Sequence, residues 1–156
     1  MIEFPDQLVK RQFGKIALTV VSAVLGILVF EPFGWWPLGL VAWIPLLAVL
    51  RSATPREGFY LGLLHGFLLF GGTLSWVWSI FGRVSLGLWG ILALFTAFSS
   101  LIVVLVPKRL PVVSALLVAT VWAGVEYFRS EIFKLAFPWI TPGTGLPPNW
   151  LTPIVG

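Results

Sequence analysis

The sequence contains no Cys, a single His and few charged residues. Only 10% of its 156 residues are Asp, Glu, Lys or Arg, against about 25% in soluble globular proteins. This scarcity of charge excludes an ordinary water-soluble domain. The lack of Cys excludes a disulfide framework, a thiolate nucleophile and a Cys-ligated metal within these residues, and His65 alone argues against a zinc site. We therefore expect no metal or other cofactor.

Apolar residues, Gly, Pro and Trp are abundant instead. Hydrophobic residues make up 58% of the chain, which also has 16 Gly, 12 Pro and 9 Trp. This mixture is typical of polytopic membrane helices, in which Gly and Pro are tolerated. The net charge of +4 comes from bases that lie between apolar runs and form no basic stripe. Nucleic-acid binding is therefore excluded, and the bases are expected to determine membrane orientation.

The apolar residues fall into about five segments, which predicts an all-α polytopic transmembrane bundle. The first two segments are short of the ~20 residues that cross the hydrocarbon layer. They either recruit flanking residues or form a shallow hairpin. The third and fourth are long enough to span with tilt. The five segments are 16–30, 35–50, 58–81, 84–106 and 112–125.

The distribution of bases predicts a cytoplasmic N terminus. Residues 1–15 would be a cytoplasmic N-terminal segment, and 16–156 the transmembrane domain. In this orientation seven bases lie inside and three outside. The inside set is Lys10, Arg11, Lys15, Arg51, Arg56, Lys108 and Arg109, and the outside set is Arg83, Arg129 and Lys134.

Small residues and a lone His mark the third segment. Gly58, Gly62 and Gly66 recur every four residues on one helical face and predict close packing of a neighbouring helix. His65 lies on the same segment. A neutral imidazole there either hydrogen-bonds across helices as a packing residue or serves in a proton relay.

A charged pair lies near the outer end of the fifth segment. Glu126 and Arg129 are three residues apart on one helical face. Because an unpaired charge in a bilayer costs about 3 kcal/mol, we expect them to pair with each other or to meet a polar cavity or headgroup. Two interpretations are open: the pair positions a phosphate or a further domain, or it is only an ion pair at a helix end.

An aromatic, Pro-stiffened segment follows over residues 137–143. Phe137 and Trp139 flank Pro138, and both rings are expected at headgroup depth on the outer side. They either line a point of acyl-chain access or only anchor the chain in the interface. No catalytic constellation rises above chance.

Several motifs together resemble the membrane domain of bacterial apolipoprotein N-acyltransferases. Each is weak alone, but their order and spacing over about residues 16–156 are fairly specific. The motifs are Phe30-Glu31-Pro32-Phe33-Gly34-Trp35-Trp36-Pro37-Leu38, a Gly-rich pattern from Gly62 to Trp76, Glu126-Tyr127-Phe128-Arg129, Phe137-Pro138-Trp139 and Pro153-Ile154-Val155-Gly156.

The resemblance implies a role in lipoprotein acylation. In that family the helices carry a periplasmic nitrilase-like domain with a Glu, Lys, Cys triad, which moves an acyl chain from phospholipid to the amino-terminal Cys of a diacylglyceryl lipoprotein. This sequence lacks that domain, so the resemblance implies a fragment or split half that is inactive alone. It further implies that Phe137 and Trp139 flank the lipid access, while Glu126 and Arg129 support the junction to the missing domain.

The expected function is therefore that of the membrane portion of such an acyltransferase in the bacterial inner membrane. Its expected partners are phospholipid, the lipoprotein substrate and the nitrilase-like domain, in cis or in trans. The alternative is a non-enzymatic polytopic module, such as a transporter-like or assembly subunit, whose outward aromatics only anchor it.

Overall fold

The computed structural model describes residues 5–30, 32–107, 111–134 and 137–141. Within these ranges the chain is helical and has no strand, which confirms the predicted all-α bundle. Two short 3-10 helices, Trp36–Leu40 and Gly82–Val84, and a π-helical turn, Phe128–Ile132, accompany the α-helices. The α-helices are α1 Pro5–Val29, α2 Ile44–Leu50, α3 Pro55–Thr73, α4 Trp76–Phe81, α5 Ser85–Leu105 and α6 Pro111–Tyr127.

Three helical stretches in the described ranges are long and apolar enough to cross a membrane. They are Lys10–Val29, Trp76–Leu105 and Pro111–Ile132. At 1.5 Å per residue, the 20 residues of the first stretch extend about 30 Å, the thickness of the hydrocarbon core. The helix α1 begins at Pro5, inside the segment 1–15 that the sequence suggested as a separate polar start.

Helices α3 and α5 pack in antiparallel contact through the Gly residues of α3. A Cβ atom at Gly62 would lie 2.5 Å from Ser100 Oγ and 2.8 Å from the carbonyl oxygen of Thr96. One at Gly66 would lie 2.8 Å from the Cα of Ala93. The Gly residues are therefore required for this approach, as the four-residue spacing predicted.

The first turn of α3 is capped and tied to α1. Thr54 and Glu57 form a capping box, and the Glu57 carboxylate also accepts hydrogen bonds from Lys15 Nζ at 2.9 Å and Gln12 Nε2 at 2.7 Å. The backbone N–H of Thr54 and these two donors lower the pKa of Glu57 to about 2. The buried Lys15 therefore has a carboxylate partner at this end of the bundle.

A buried polar contact connects α1 and α3 with the turn that precedes α2. The Ser22 hydroxyl donates to the carbonyl oxygen of Ala42 at 2.6 Å and lies 3.3 Å from His65 Nε2. The indole of Trp43 packs on the imidazole with ring centroids 4.9 Å apart. His65 is fully buried, and these contacts fit a residue that packs between helices.

Two predicted segments are divided in the structure. Segment 35–50 is a 3-10 helix, a turn and the seven-residue α2, because Pro37 and Pro45 each interrupt the backbone ladder. In segment 58–81, α3 ends at Thr73 and α4 follows before Gly82, whose φ of +54° is a conformation that favours Gly. Neither segment therefore forms a single continuous helix.

Helix α6 lies at the edge of the described bundle. No residue between Pro111 and Tyr127 is buried, although most of them are apolar. Its closest packing partners are α5 and the π-helical turn that follows it. The C-terminal end of α6 thus leads directly into the segment that carries Arg129 and the aromatic loop.

Candidate functional site

The candidate site is built where α6 changes from an α-helix to a π-helical turn. Residues 128–132 form this turn. Turns of this kind are rare in proteins, and those that occur are often found at functional sites. The turn places Arg129 inside the protein, with none of its surface exposed. A fully buried Arg just after the edge helix α6 requires several acceptors to offset its lost hydration.

The acceptors are backbone carbonyl groups of a loop that returns towards α6. Arg129 Nη1 donates to the carbonyl oxygens of Phe137 at 2.8 Å and Trp139 at 3.1 Å, and Nη2 lies 3.5 Å from that of Ile140. In return the backbone N–H of Phe137 donates to the carbonyl oxygen of Arg129 at 3.2 Å. One guanidinium group therefore holds the path of residues 137–140.

A carboxylate and an aromatic ring complete the surroundings of the guanidinium. Arg129 Nη2 lies 2.5 Å from Glu126 Oε2, so the structure joins the two charges that the spacing predicted to pair. The guanidinium carbon lies 5.5 Å from the ring centroid of Phe70 on α3, within cation–π range. Glu126 balances the charge, and Phe70 connects the site to the core of the bundle.

The loop held by Arg129 presents two aromatic rings of different exposure. Phe137 is half-buried and packs on the core cluster that contains Phe70, whereas Trp139 is 53% exposed. The centroids of their rings are 5.6 Å apart. Ile140 has a φ of +60°, a backbone strain that the fixed carbonyl positions on Arg129 maintain.

The exposed face of this site continues onto α4. The Trp76 ring lies 5.8 Å from that of Trp139 and is 46% exposed. Together, Trp76, Phe137 and Trp139 form an aromatic ledge, the name we use for these three side chains. The ledge combines apolar rings with an indole N–H at each Trp, which suits the boundary between hydrocarbon and headgroups.

Sequence reasoning singled out four of the residues at this site and missed others. It named Glu126, Arg129, Phe137 and Trp139, which the structure brings together. It did not assign roles to Phe70, Trp76 or Ile140. Trp76 ends the Gly-rich pattern that begins at Gly62, so its position in that motif was the available signal. Gly58, Gly62 and Gly66 lie away from this site, between α3 and α5.

The described residues of the site form no cluster of metal-binding side chains. Across residues 5–30, 32–107, 111–134 and 137–141, no three His, Cys, Asp or Glu side chains converge. Glu126 is paired with Arg129, and Glu131, in the π-helical turn, is exposed. The aromatic ledge, held in place by Arg129, presents a rigid amphipathic surface.

The sequence of the chain is similar to those of a known protein family. The family described as apolipoprotein N-acyltransferase N-terminal domain matches residues 22–156. The chain belongs to this family. The match includes the π-helical turn, the Arg129 loop and all of α2 to α6, so the candidate site lies within the N-terminal domain of the acyltransferase family.

Curated relatives carry the same name. Apolipoprotein N-acyltransferase of Haemophilus influenzae is 33% identical over 135 residues, which cover 81% of this chain and 25% of the relative. That of Coxiella burnetii is 35% identical over 139 residues, covering 81% and 28%. That of Azotobacter vinelandii is 32% identical over 139 residues, covering 81% and 27%. The chain thus spans about a quarter of the apolipoprotein N-acyltransferases that it matches.

Proposed function

We propose that this chain is the membrane portion of an apolipoprotein N-acyltransferase of the bacterial inner membrane. In this proposal it supports the transfer of an acyl chain from a phospholipid to the N-terminal Cys of diacylglyceryl lipoproteins, a protein modification in lipoprotein biosynthesis. Membership of the family supports the reaction class. The single observation that carries the role of these residues is the aromatic ledge fixed by Arg129.

The ledge would guide an acyl chain at the outer face of the membrane. Trp139 and Trp76 are both about half exposed and in ring contact, so an acyl chain between lipid and protein would meet an apolar surface with two polar N–H groups. Since Arg129 fixes the backbone of the loop at three carbonyls, the surface is preorganised before lipid arrives. Phe137 and Trp139 are thus the proposed lipid access.

Chemistry would have to occur on residues outside these 156. The acyl group in the resembling family rests on a Cys as a thioester, and this sequence has no Cys. The nitrilase-like domain with its Glu, Lys, Cys triad is therefore the proposed partner, in cis or in trans. Glu126 and Arg129, at the end of α6, would support the junction to that domain.

A chimaeric enzyme tests the proposal. This chain replaces the matching quarter of the Haemophilus influenzae relative, and N-acylation of a diacylglyceryl lipoprotein is measured by mass spectrometry of its N-terminal peptide. We expect the chimaera to acylate the lipoprotein. Trp139→Ala should lower transfer per folded molecule by about tenfold, the effect of removing a large aromatic anchor.

Trp35→Ala is the matched control. Trp35 is 58% exposed, close to the 53% of Trp139, and belongs to the aromatic residues at the outer end of α1, away from the ledge. It should retain full transfer per folded molecule. If both Trp variants keep normal transfer, the ledge only anchors the protein, and an inactive chimaera at normal protein level would contradict the proposed function itself.

A further inference from the structure

A second lipid-facing feature lies at the opposite end of the bundle from the aromatic ledge. A cavity of about 530 Å³ runs between α2, α5 and α6. We call it the inner slot and define it by Trp43, Arg51, Val103, Val118, Ala119 and Trp122. It shares no residue with the ledge, and its existence follows from the loose packing of α6.

The inner slot has the shape of a site for an extended apolar chain. Its wall on α6 extends from Pro111 to Trp122, which at 1.5 Å per residue is about 16 Å. At the end of the cavity away from Arg51, the rings of Trp43 and Trp122 are in contact, with centroids 4.8 Å apart. Leu47 and Val118 are among the apolar side walls.

Among the described residues that line the inner slot, Arg51 supplies a positive charge at the mouth. Arg51 follows α2 at the mouth and is exposed. No lining residue on the described part of the chain is acidic. The slot therefore combines an apolar interior with a mouth of positive charge.

We infer that the inner slot binds an anionic glycerophospholipid, with one acyl chain between α2, α5 and α6 and the phosphate at Arg51. A guanidinium group binds a phosphate through two parallel hydrogen bonds. The distribution of bases assigns this mouth to the cytoplasmic side, where anionic lipids attract basic residues. The inference does not depend on the proposed acyl transfer, which concerns the other end of the bundle.

Photo-crosslinking of the full 156-residue chain tests the inference. The probe is phosphatidylglycerol with a diazirine on one acyl chain, added as a minor component to phosphatidylethanolamine vesicles that contain the chain. We expect adducts in the peptides covering residues 43–51 and 115–122. Unlabelled phosphatidylglycerol should remove these adducts, whereas additional phosphatidylethanolamine should not.

Two pairs of variants make the test specific. Arg51→Gln should lower slot labelling by about tenfold, the effect of losing a charge-assisted contact, and Arg56→Gln, at an exposed base five residues away, should not. Ala119→Phe should block the slot, whereas Ala123→Phe, on an exposed part of α6 outside the slot, should not. Labelling of the lipid-exposed face of α1 at Leu18 and Val21 is the internal reference for correct insertion.

Three results would overturn the inference. The first is slot labelling that phosphatidylethanolamine removes equally well. The second is unchanged labelling in Arg51→Gln. The third is a slot without adducts while the α1 face is labelled, which would mean that protein fills the space. None of these results would affect the acylation test, since that test reports on the aromatic ledge.

Discussion

At the scale of single residues, Arg129 explains how a charge is tolerated beside the membrane. The sequence predicted its contact with Glu126, because a spacing of three residues on a helix brings two side chains together. It could not predict the three backbone acceptors at Phe137, Trp139 and Ile140. Those carbonyl groups become available only because the chain leaves the helix after the π-helical turn and folds back.

Removing this guanidinium should cost more stability than removing a surface charge. We expect Arg129→Ala to lower the free energy of unfolding by about 3–5 kcal/mol, as when one partner of a buried ion pair is deleted. Arg129→Lys should recover only part of the loss, because a compact ammonium group cannot reproduce the fork of a guanidinium. Unfolding in mixed micelles of mild detergent and dodecyl sulfate measures both values.

The matched controls are Arg83→Ala and Arg83→Lys. Arg83 is exposed in the short 3-10 helix between α4 and α5, so neither change should shift the unfolding midpoint. An Arg129→Lys variant as stable as the parent chain would show that the carbonyl contacts add nothing beyond the charge of Arg129.

At the scale of elements, the contact between α3 and α5 depends on residues without side chains. Hydrophobic attraction does not drive helices together inside a lipid bilayer, so close backbone approach supplies the packing energy instead. Gly58, Gly62 and Gly66 are all buried on the α5 side of α3. This contact holds α3 in the position in which the ring of Phe70 lies next to the guanidinium group of Arg129.

A methyl group at Gly62 should therefore separate these two helices. Its Cβ would lie 2.8 Å from the backbone oxygen of Thr96, and a backbone atom cannot move aside alone. We expect Gly62→Ala to lower the free energy of unfolding by about 1–3 kcal/mol, the usual cost of overpacking. Thermal unfolding in detergent, followed by circular dichroism, measures the change.

Gly90→Ala on α5 is the matched control, since nothing lies within 4 Å of a Cβ at that position. Because Ala is a better helix former than Gly, this variant should be as stable as the parent chain or slightly more stable. Equal losses in Gly62→Ala and Gly90→Ala would contradict the role of Gly62 in helix contact.

The limits of sequence reading are also clear at this scale. The Gly spacing predicted the α3 contact because the pattern is local and periodic. The break between α3 and α4 was not predicted, since residues 58–81 are mostly apolar and hydropathy alone does not reveal where a chain turns. Pro37 and Pro45 were visible in the second segment, but only the structure shows that they reduce its regular α-helix to Ile44–Leu50.

At the scale of the whole molecule, two buried bases among the described residues form internal ion pairs. Lys15 is paired with Glu57 and Arg129 with Glu126, and both basic side chains are buried. Such bases contribute to folding as well as to orientation. When these two bases are left out of the count, six bases remain on the predicted inner side and two on the outer side. The predicted cytoplasmic side therefore still carries more Lys and Arg than the outer side.

This bias predicts the orientation of the bundle, which substituted-cysteine labelling can check, because the parent chain has no Cys and gives no background. In intact bacteria, a membrane-impermeant maleimide should label Ser79→Cys and Arg83→Cys, both exposed at the α4 end of the bundle. It should label Ser52→Cys and Arg56→Cys, exposed beside the first turn of α3, only after the cells are permeabilised. The opposite pattern would place the aromatic ledge in the cytoplasmic leaflet and the mouth of the inner slot outside. It would thereby remove the physical basis for acyl transfer at the outer face.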